Sequence, residues 1–162
     1  MAPPPINASV RYRAKGKTKC YWVPVIANLA APTRAELNAG VDLSPQIMDM
    51  DGWLIESGSI DTPDLASDFT GNIPGSTSVD DSSLTFYSDL NGDDVRALLP
   101  RDTNGHIVWL HGGDIPGNAT MDAYPVRVGS LGKTVTIDED ASSIQVNFNI
   151  TAEPEENLVI PA

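Results

Sequence analysis

Cysteine, histidine and long apolar runs are nearly missing from this chain of 162 residues, and each shortage closes a class of reading. Cys20 is the sole cysteine, so no intrachain disulfide is possible and a reduced, intracellular site of assembly is expected. A lone thiol in an apolar strand is ordinarily buried and inert. His106 and His111 are the only histidines. Five residues apart, they fall on opposite faces of a strand and do not converge on a metal. No run approaches the roughly 20 apolar residues that cross a bilayer, so no membrane partner is expected. Met1-Ala2-Pro3-Pro4-Pro5 offers neither the basic start nor the apolar core of a signal peptide, which leaves the sequons at Asn7, Asn118 and Asn149 without weight. Neither GxSxG nor HExxH occurs.

Two patterns imitate known sites and fail. Asp89, Asn91 and Asp93 have the 1, 3, 5 spacing of a calcium loop, but the positions that need glycine and a bidentate carboxylate hold Asp94 and Pro100. Gly129 to Thr134 ends like a phosphate-binding loop, yet its first glycine would fall on Arg127, and a strand-like TVTIDED follows where a helix must open. The remaining carboxylates lie mostly in turns, where solvation and capping account for them. No catalytic residue, cofactor or metal is expected.

What is abundant is glycine, proline and acid. Thirteen Gly and thirteen Pro favour turns and short strands over long helices, and the length suits one domain. The net charge of -12 is unevenly spread: residues 1–34 hold six basic residues and no acidic one, a charge of +6, against -18 for the remainder. Arg11, Arg13, Lys15, Lys17 and Lys19 occupy alternate positions and would share one face of a strand. Such a ladder is either a solvated edge strand kept from aggregating by its charge or a contact for an acidic surface of a neighbouring subunit. As a nucleic-acid contact it would be opposed by the acidic body.

Taken in order, residues 1–18 form a basic arm, 19–152 a β domain containing a long loop at 61–83, and 153–162 a C-terminal tail whose Leu158-Val159-Ile160 is expected to be paired or docked. Lys19 to Asn28 reads as an apolar strand, with Pro24 marking an edge or bulge. Thr33 to Glu36 matches a capping box, with Gly40 closing a very short helix. Ile47 to Ile60 reads as strand material turning near Asp51-Gly52. In 61–83, Leu65, Phe69 and Ile73 are spaced by four, and Thr62-Pro63-Asp64 suits the start of a helical turn. The segment either folds back on its own body or inserts these apolar residues into a partner. Ser83 to Trp109 reads as strand, helix of about two turns and strand, with Asp93 and Asp94 in the first helical turn, Val95, Leu98 and Leu99 on its apolar face, and a turn at Asn104-Gly105. Residues 123–137 suggest two strands around Ser130-Leu131-Gly132. Ser143 to Thr151 alternates most clearly, with Ile144, Val146, Phe148 and Ile150 on one face.

PTRAELNAGVDLS (32–44), GWLIESGSIDTPDLASDFTGNIPGSTSVDDSSLTFY (52–87), DVRALLPRDTNGHIVWLHGGD (94–114), YPVRVGS (124–130) and AEPEENLVIPA (152–162) resemble the major tail tube proteins of long-tailed, siphovirus-type bacteriophages, especially those of actinobacterial phages. The resemblance implies a mainly β fold, a β-sandwich or rolled barrel with one or two short helices. It also implies a structural virion protein, assembled in the host bacterial cytoplasm, whose hexameric rings stack into a tube. DNA would pass through the lumen without specific binding, and a tape-measure protein and a tail terminator would be partners. Arg11, Arg13, Lys15, Lys17, Lys19, Leu65, Phe69 and Ile73 are the candidate subunit-interface residues. Two other readings stand beside it: a monomeric β-sandwich that binds a ligand such as a carbohydrate through Trp22, Trp53 or Trp109, and an enzyme with a dispersed carboxylate site.

Overall fold

The computed structural model describes residues 3–92 and 95–162. The carboxylates expected to open a helix, Asp93 and Asp94, lie outside the described residues. The elements in chain order are β1 (Lys19–Val23), α1 (Arg34–Asn38), β2 (Val41–Asp42), a 3-10 turn (Ser44–Gln46), β3 (Ile47–Asp51), β4 (Ile55–Thr62), β5 (Gly71–Val79), β6 (Ser82–Tyr87), α2 (Val95–Leu98), β7 (Asn104–Leu110), β8 (Ala119–Thr134), β9 (Ser143–Ile150) and β10 (Glu155–Val159). The mainly β class with two short helices is as the sequence predicts.

One antiparallel sheet runs β2-β1-β7-β8-β9-β6-β3, with β10 on β8; β4 and β5 pair only with each other. The connectivity forces this sheet to roll. β2 and β3 stand at opposite edges, yet only residues 43–46 join them. In a flat sheet seven strands wide the edges would be about 29 Å apart, whereas the link from Asp42 to Ile47 reaches at most about 18 Å. The sheet therefore curls until its edges approach.

Alternation along the strands sorts the apolar residues into two clusters. Cys20, Trp22, Ile107, Trp109, Tyr124, Val126, Ile144, Val146, Phe148, Leu84 and Phe86 pack together inside the roll, with Val95 and Leu99 from the α2 region. Val23, Val108, Leu110, Met121 and Ala123 face the other way and are covered by Leu37 of α1, Ile26 and Ile160. The strands shared by the two clusters, β1, β7 and the first half of β8, are buried on both faces. β9 and β10 run in succession along β8, Ile150 opposite Val126 and Glu155 opposite Ala123, so the C-terminal residues complete the sheet.

Several local expectations change. β1 ends at Val23, before Pro24, which cannot donate to the ladder. Arg11 to Lys17 form no strand: the chain turns over residues 14–17, Lys17 and Thr18 donate to the Ala14 carbonyl, and Gly16 adopts φ 84°. The capping box is present, with Thr33 and Glu36 exchanging bonds. Gly40 serves close approach instead of a left-handed cap, since a Cβ there would lie 2.6 Å from the Trp22 carbonyl oxygen. The expected two-turn helix is the short α2. Asn104-Gly105 opens β7; the turn precedes it, at Pro100–Thr103, with Asp102 at φ 67°. Residues 119–134 form one long strand, and the break expected at Ser130–Gly132 is a register shift between Val128 and Leu131. Ile47 to Ile60 divides between two sheets, with Trp53 between the strands instead of within one.

The largest revision concerns the long loop. Most of it is the β4–β5 hairpin, paired from Ile55↔Val79 to Thr62↔Gly71 with a register shift between Ser57 and Ser59. Thr62-Pro63-Asp64 starts no helix. Asp64 accepts from the Ala66 amide and Ser67 from the Phe69 amide, so the tip is built of side-chain-capped turns.

Candidate assembly surfaces

The described residues offer no converging chemistry. None of their His, Cys, Asp and Glu side chains gather in threes about a cation position. His106 Nδ1 lies 3.3 Å from the Val23 carbonyl oxygen, while His111 Nε2 meets Asp122 at 2.8 Å. Cys20 is buried, and desolvation, aided by Asp42, pushes its thiol pKa well up, away from the reactive thiolate. Gly129 to Thr134 lie in β8, so no helix opens behind them to hold a phosphate. Asp89 accepts from the Asn91 amide at 2.7 Å, a turn bond. Trp22, Trp53 and Trp109 are 3%, 8% and 4% exposed and form core, so none of the three offers a surface platform for a sugar ring.

Polar clusters tie the chain to itself. Arg34 grips Asp114 through both oxygens, at 2.9 and 2.8 Å, and donates from Nε to the Pro161 carbonyl. Tyr21 donates to the same carboxylate. Burial, with Asp114 alongside, pushes the Tyr21 phenol up to about 12, and the Arg34 bonds hold Asp114 below its ordinary range despite some burial. Together these bonds fasten α1, β1, the 111–118 loop and the C-terminus. Asp122 similarly bridges His111 and the Asn157 amide, tying β10 to β8. Burial alone would raise Asp122; the two bonds overcome it and lower its pKa, and the bond from Asp122 raises His111.

Trp53 anchors the base of the hairpin. It holds φ 65° directly after Gly52 at φ 78°, a reversal that drives its ring into the roll. Its amide donates to Ser82 Oγ, its Nε1 to the Ser83 carbonyl, and its carbonyl accepts from Tyr124 at 2.8 Å. The ring lies 5.8 Å from Trp109, 5.4 Å from Tyr124 and 5.6 Å from Phe148, in edge-on or tilted geometry. Gly52 marks the turn in the sequence, but nothing local to Trp53 foretells that it is buried while Leu54 beside it is 68% exposed.

Beyond that anchor, the hairpin is bare. Leu65 is fully exposed and Phe69 is 78% exposed. Ile73 pairs across from Ile60, a residue sequence reasoning missed, and both remain about half exposed. An isolated two-stranded ribbon is marginal in water. The arm is equally uncovered, with Ile6 and Val10 almost fully exposed. Lys19 departs from its four neighbours: it pairs with Asp42 of its own chain at 3.0 Å. Arg11, Arg13, Lys15 and Lys17 are exposed and make no ion pair among the described residues. The structure thus presents Leu65, Phe69 and Ile73 together on one hairpin, and four of the five basic residues on a separate arm.

A rolled sheet with an uncovered hairpin and arm, and with no metal-ligating cluster among the described residues, matches one family model, described as Phage tail tube protein, over residues 7–162. The chain belongs to the phage tail tube protein family. Membership makes it a structural component of phage tails. The fold is shared with much more distant chains. One, from the sheath–tube complex of the PVC extracellular contractile injection system in its extended state, aligns at TM-score 0.54 and 9% identity, over 86% of this chain and 88% of that one. Another, from the tube-terminating cap of the anti-feeding prophage, aligns at 0.54 and 12%, over 88% and 89%. A third, from the anti-feeding prophage baseplate, aligns at 0.55 and 8%, over 97% and 99%. At such identities the likeness speaks for the fold of this tail tube protein, not for its contacts. No curated protein sequence matches the chain. No helix among the described residues is long and apolar enough to cross a membrane.

Proposed function

We propose that copies of this chain associate side by side into closed rings, six to a ring, and that the rings stack into a tail tube through which phage DNA passes. The observation that carries the reading is the hairpin: a two-stranded ribbon with Ile60, Leu65, Phe69 and Ile73 facing water, which the subunit alone leaves unsupported. Family membership supports it, and the six-fold symmetrised anti-feeding prophage baseplate supports the ring number by analogy of fold. The hairpin, together with Arg11, Arg13, Lys15 and Lys17, supplies contacts between copies. A net charge of -12 suits a conduit, because an acidic wall repels phosphate and lets DNA slide. On this reading the tube belongs to a long-tailed phage and assembles in the bacterial cytoplasm around a tape-measure protein, closed by a terminator. Sedimentation velocity of the purified protein across a concentration series tests the reading, since it predicts a shift from subunit to large particles. A single subunit-sized boundary at every concentration, with the fold intact, would contradict it.

A further inference from the structure

We infer that the basic arm of one copy docks as an added strand on the β4 edge of a second copy's hairpin, a pairing that rests on self-assembly but names its two partners. The two segments are opposite in charge. Between Arg34 and Arg96 the chain has no Lys or Arg, and the hairpin there carries Glu56, Asp61, Asp64 and Asp68. The arm from Ile6 to Lys17 carries four positive charges and no acid. The complementarity extends to apolar residues, since exposed Ile6 and Val10 precede the arm's charges, exposed Tyr12 lies between two of them, and Ile60 and Ile73 form an exposed pair on the hairpin.

Backbone chemistry selects the mode. Residues 3–13 belong to no helix or strand, so their amides and carbonyls are not part of any ladder. The β4–β5 ribbon has no third strand among the described residues, so both its outer edges are open. Pro74 sits in β5, and proline is tolerated in a ribbon where its missing N–H faces outward, which leaves the β5 edge short of a donor. β4, Ile55–Thr62, contains neither proline nor lysine and holds Glu56 and Asp61. It is the edge fit to accept a strand, the addition that extended peptides make to exposed sheet edges. As a strand, residues 6–13 would set Arg11 and Arg13 on one face, opposite Val10 and Tyr12, with Lys15 in the turn that follows.

Topology selects the partner. β1 is entered at Lys19, opposite Leu110 of β7, which is opposite Met121 near the start of β8. The hairpin leaves from the end of β3 and returns to the start of β6, and both of these point toward the same end of the roll. Copies standing side by side in one orientation therefore present arm and hairpin at the same end. The docking is a contact between neighbours of one ring.

Mixing single-cysteine variants tests the pairing directly. Arg13→Cys and Asp61→Cys proteins, combined in equal amounts and oxidised, should give the mixed dimer in several-fold excess over either homodimer; buried Cys20 stays out of the exchange. Arg11→Glu/Arg13→Glu/Lys15→Glu and, separately, Glu56→Lys/Asp61→Lys/Asp64→Lys should each cut the pelleted polymer at least tenfold. Mixing the two reversed proteins should restore it. Wild-type polymer without the mixed dimer or the rescue would overturn the docking and leave the tube standing. The mixed dimer without polymer would uphold the docking and sink the tube. Absence of both would overturn both, as would a cross-link confined to single chains when both cysteines share one chain.

Discussion

Gly105 shows how a residue can be correctly singled out for the wrong reason. Asn-Gly predicts a turn, but the position lies in β7, with the Trp22 ring against it. A Cβ there would sit 2.4 Å from the ring. Gly105→Ala should therefore force Trp22 off its rotamer and destabilise the fold by about 1–3 kcal/mol, as overpacking does. Urea unfolding measures this; a change within about 0.5 kcal/mol would show that the ring moves freely. Glycine reports what its neighbours demand, and the Trp22 contact crosses more than 80 residues of sequence, which no local pattern carries. The His111–Asp122 pair yields a pH prediction. The raised His111 contributes fully below its ordinary 6.5, and that contribution fades as pH rises through its higher folded value. The lowered Asp122 contributes above its ordinary 3.8, and that contribution is lost as pH falls through its lower folded value. The pair's support of β10 is therefore greatest between 3.8 and 6.5. Hydrogen exchange of the β10 amides, wild type against His111→Gln, should differ most inside that window and converge at alkaline pH. A difference that persists at high pH would show that the imidazolium plays no part.

At the scale of elements, alternation was the legible signal. β9 reads directly, because Ile144, Val146 and Phe148 are buried and Gln145, Asn147 and Asn149 are exposed, as a sheet with one face inside requires. The hairpin was illegible for the complementary reason: with almost nothing buried on either face, β4 and β5 show no alternation, and the four-residue spacing of Leu65, Phe69 and Ile73 imitates a helix. The basic ladder misleads in the same way, since alternating charge marks a strand only where a partner pairs with it. Because the base is held at Trp53, the outer hairpin should be dispensable to the subunit. Replacing 58–76 with Asn-Gly, which closes directly on the Ser57↔Thr77 pair, should leave the melting temperature within a few degrees and abolish assembly. Loss of the fold would instead make the hairpin part of the core.

The whole molecule follows from two constraints that act together. A four-residue link between the outermost strands rolls the sheet, and alternation fills the roll with aromatic and branched side chains while α1, Ile26 and Ile160 cover the outside. The sequence alone conveys the class, because strand-rich patterning is compositional. It does not convey which apolar residues are left over, because that depends on long-range pairing. Among what remains uncovered are a ribbon and a basic arm. Electron cryo-microscopy of the purified, concentrated protein is the most direct measure of that claim. Hollow tubes of stacked six-membered rings are expected, with Leu65, Phe69 and Ile73 buried between copies. Folded monomers at all concentrations, or tubes in which the hairpin projects into solvent, would contradict it.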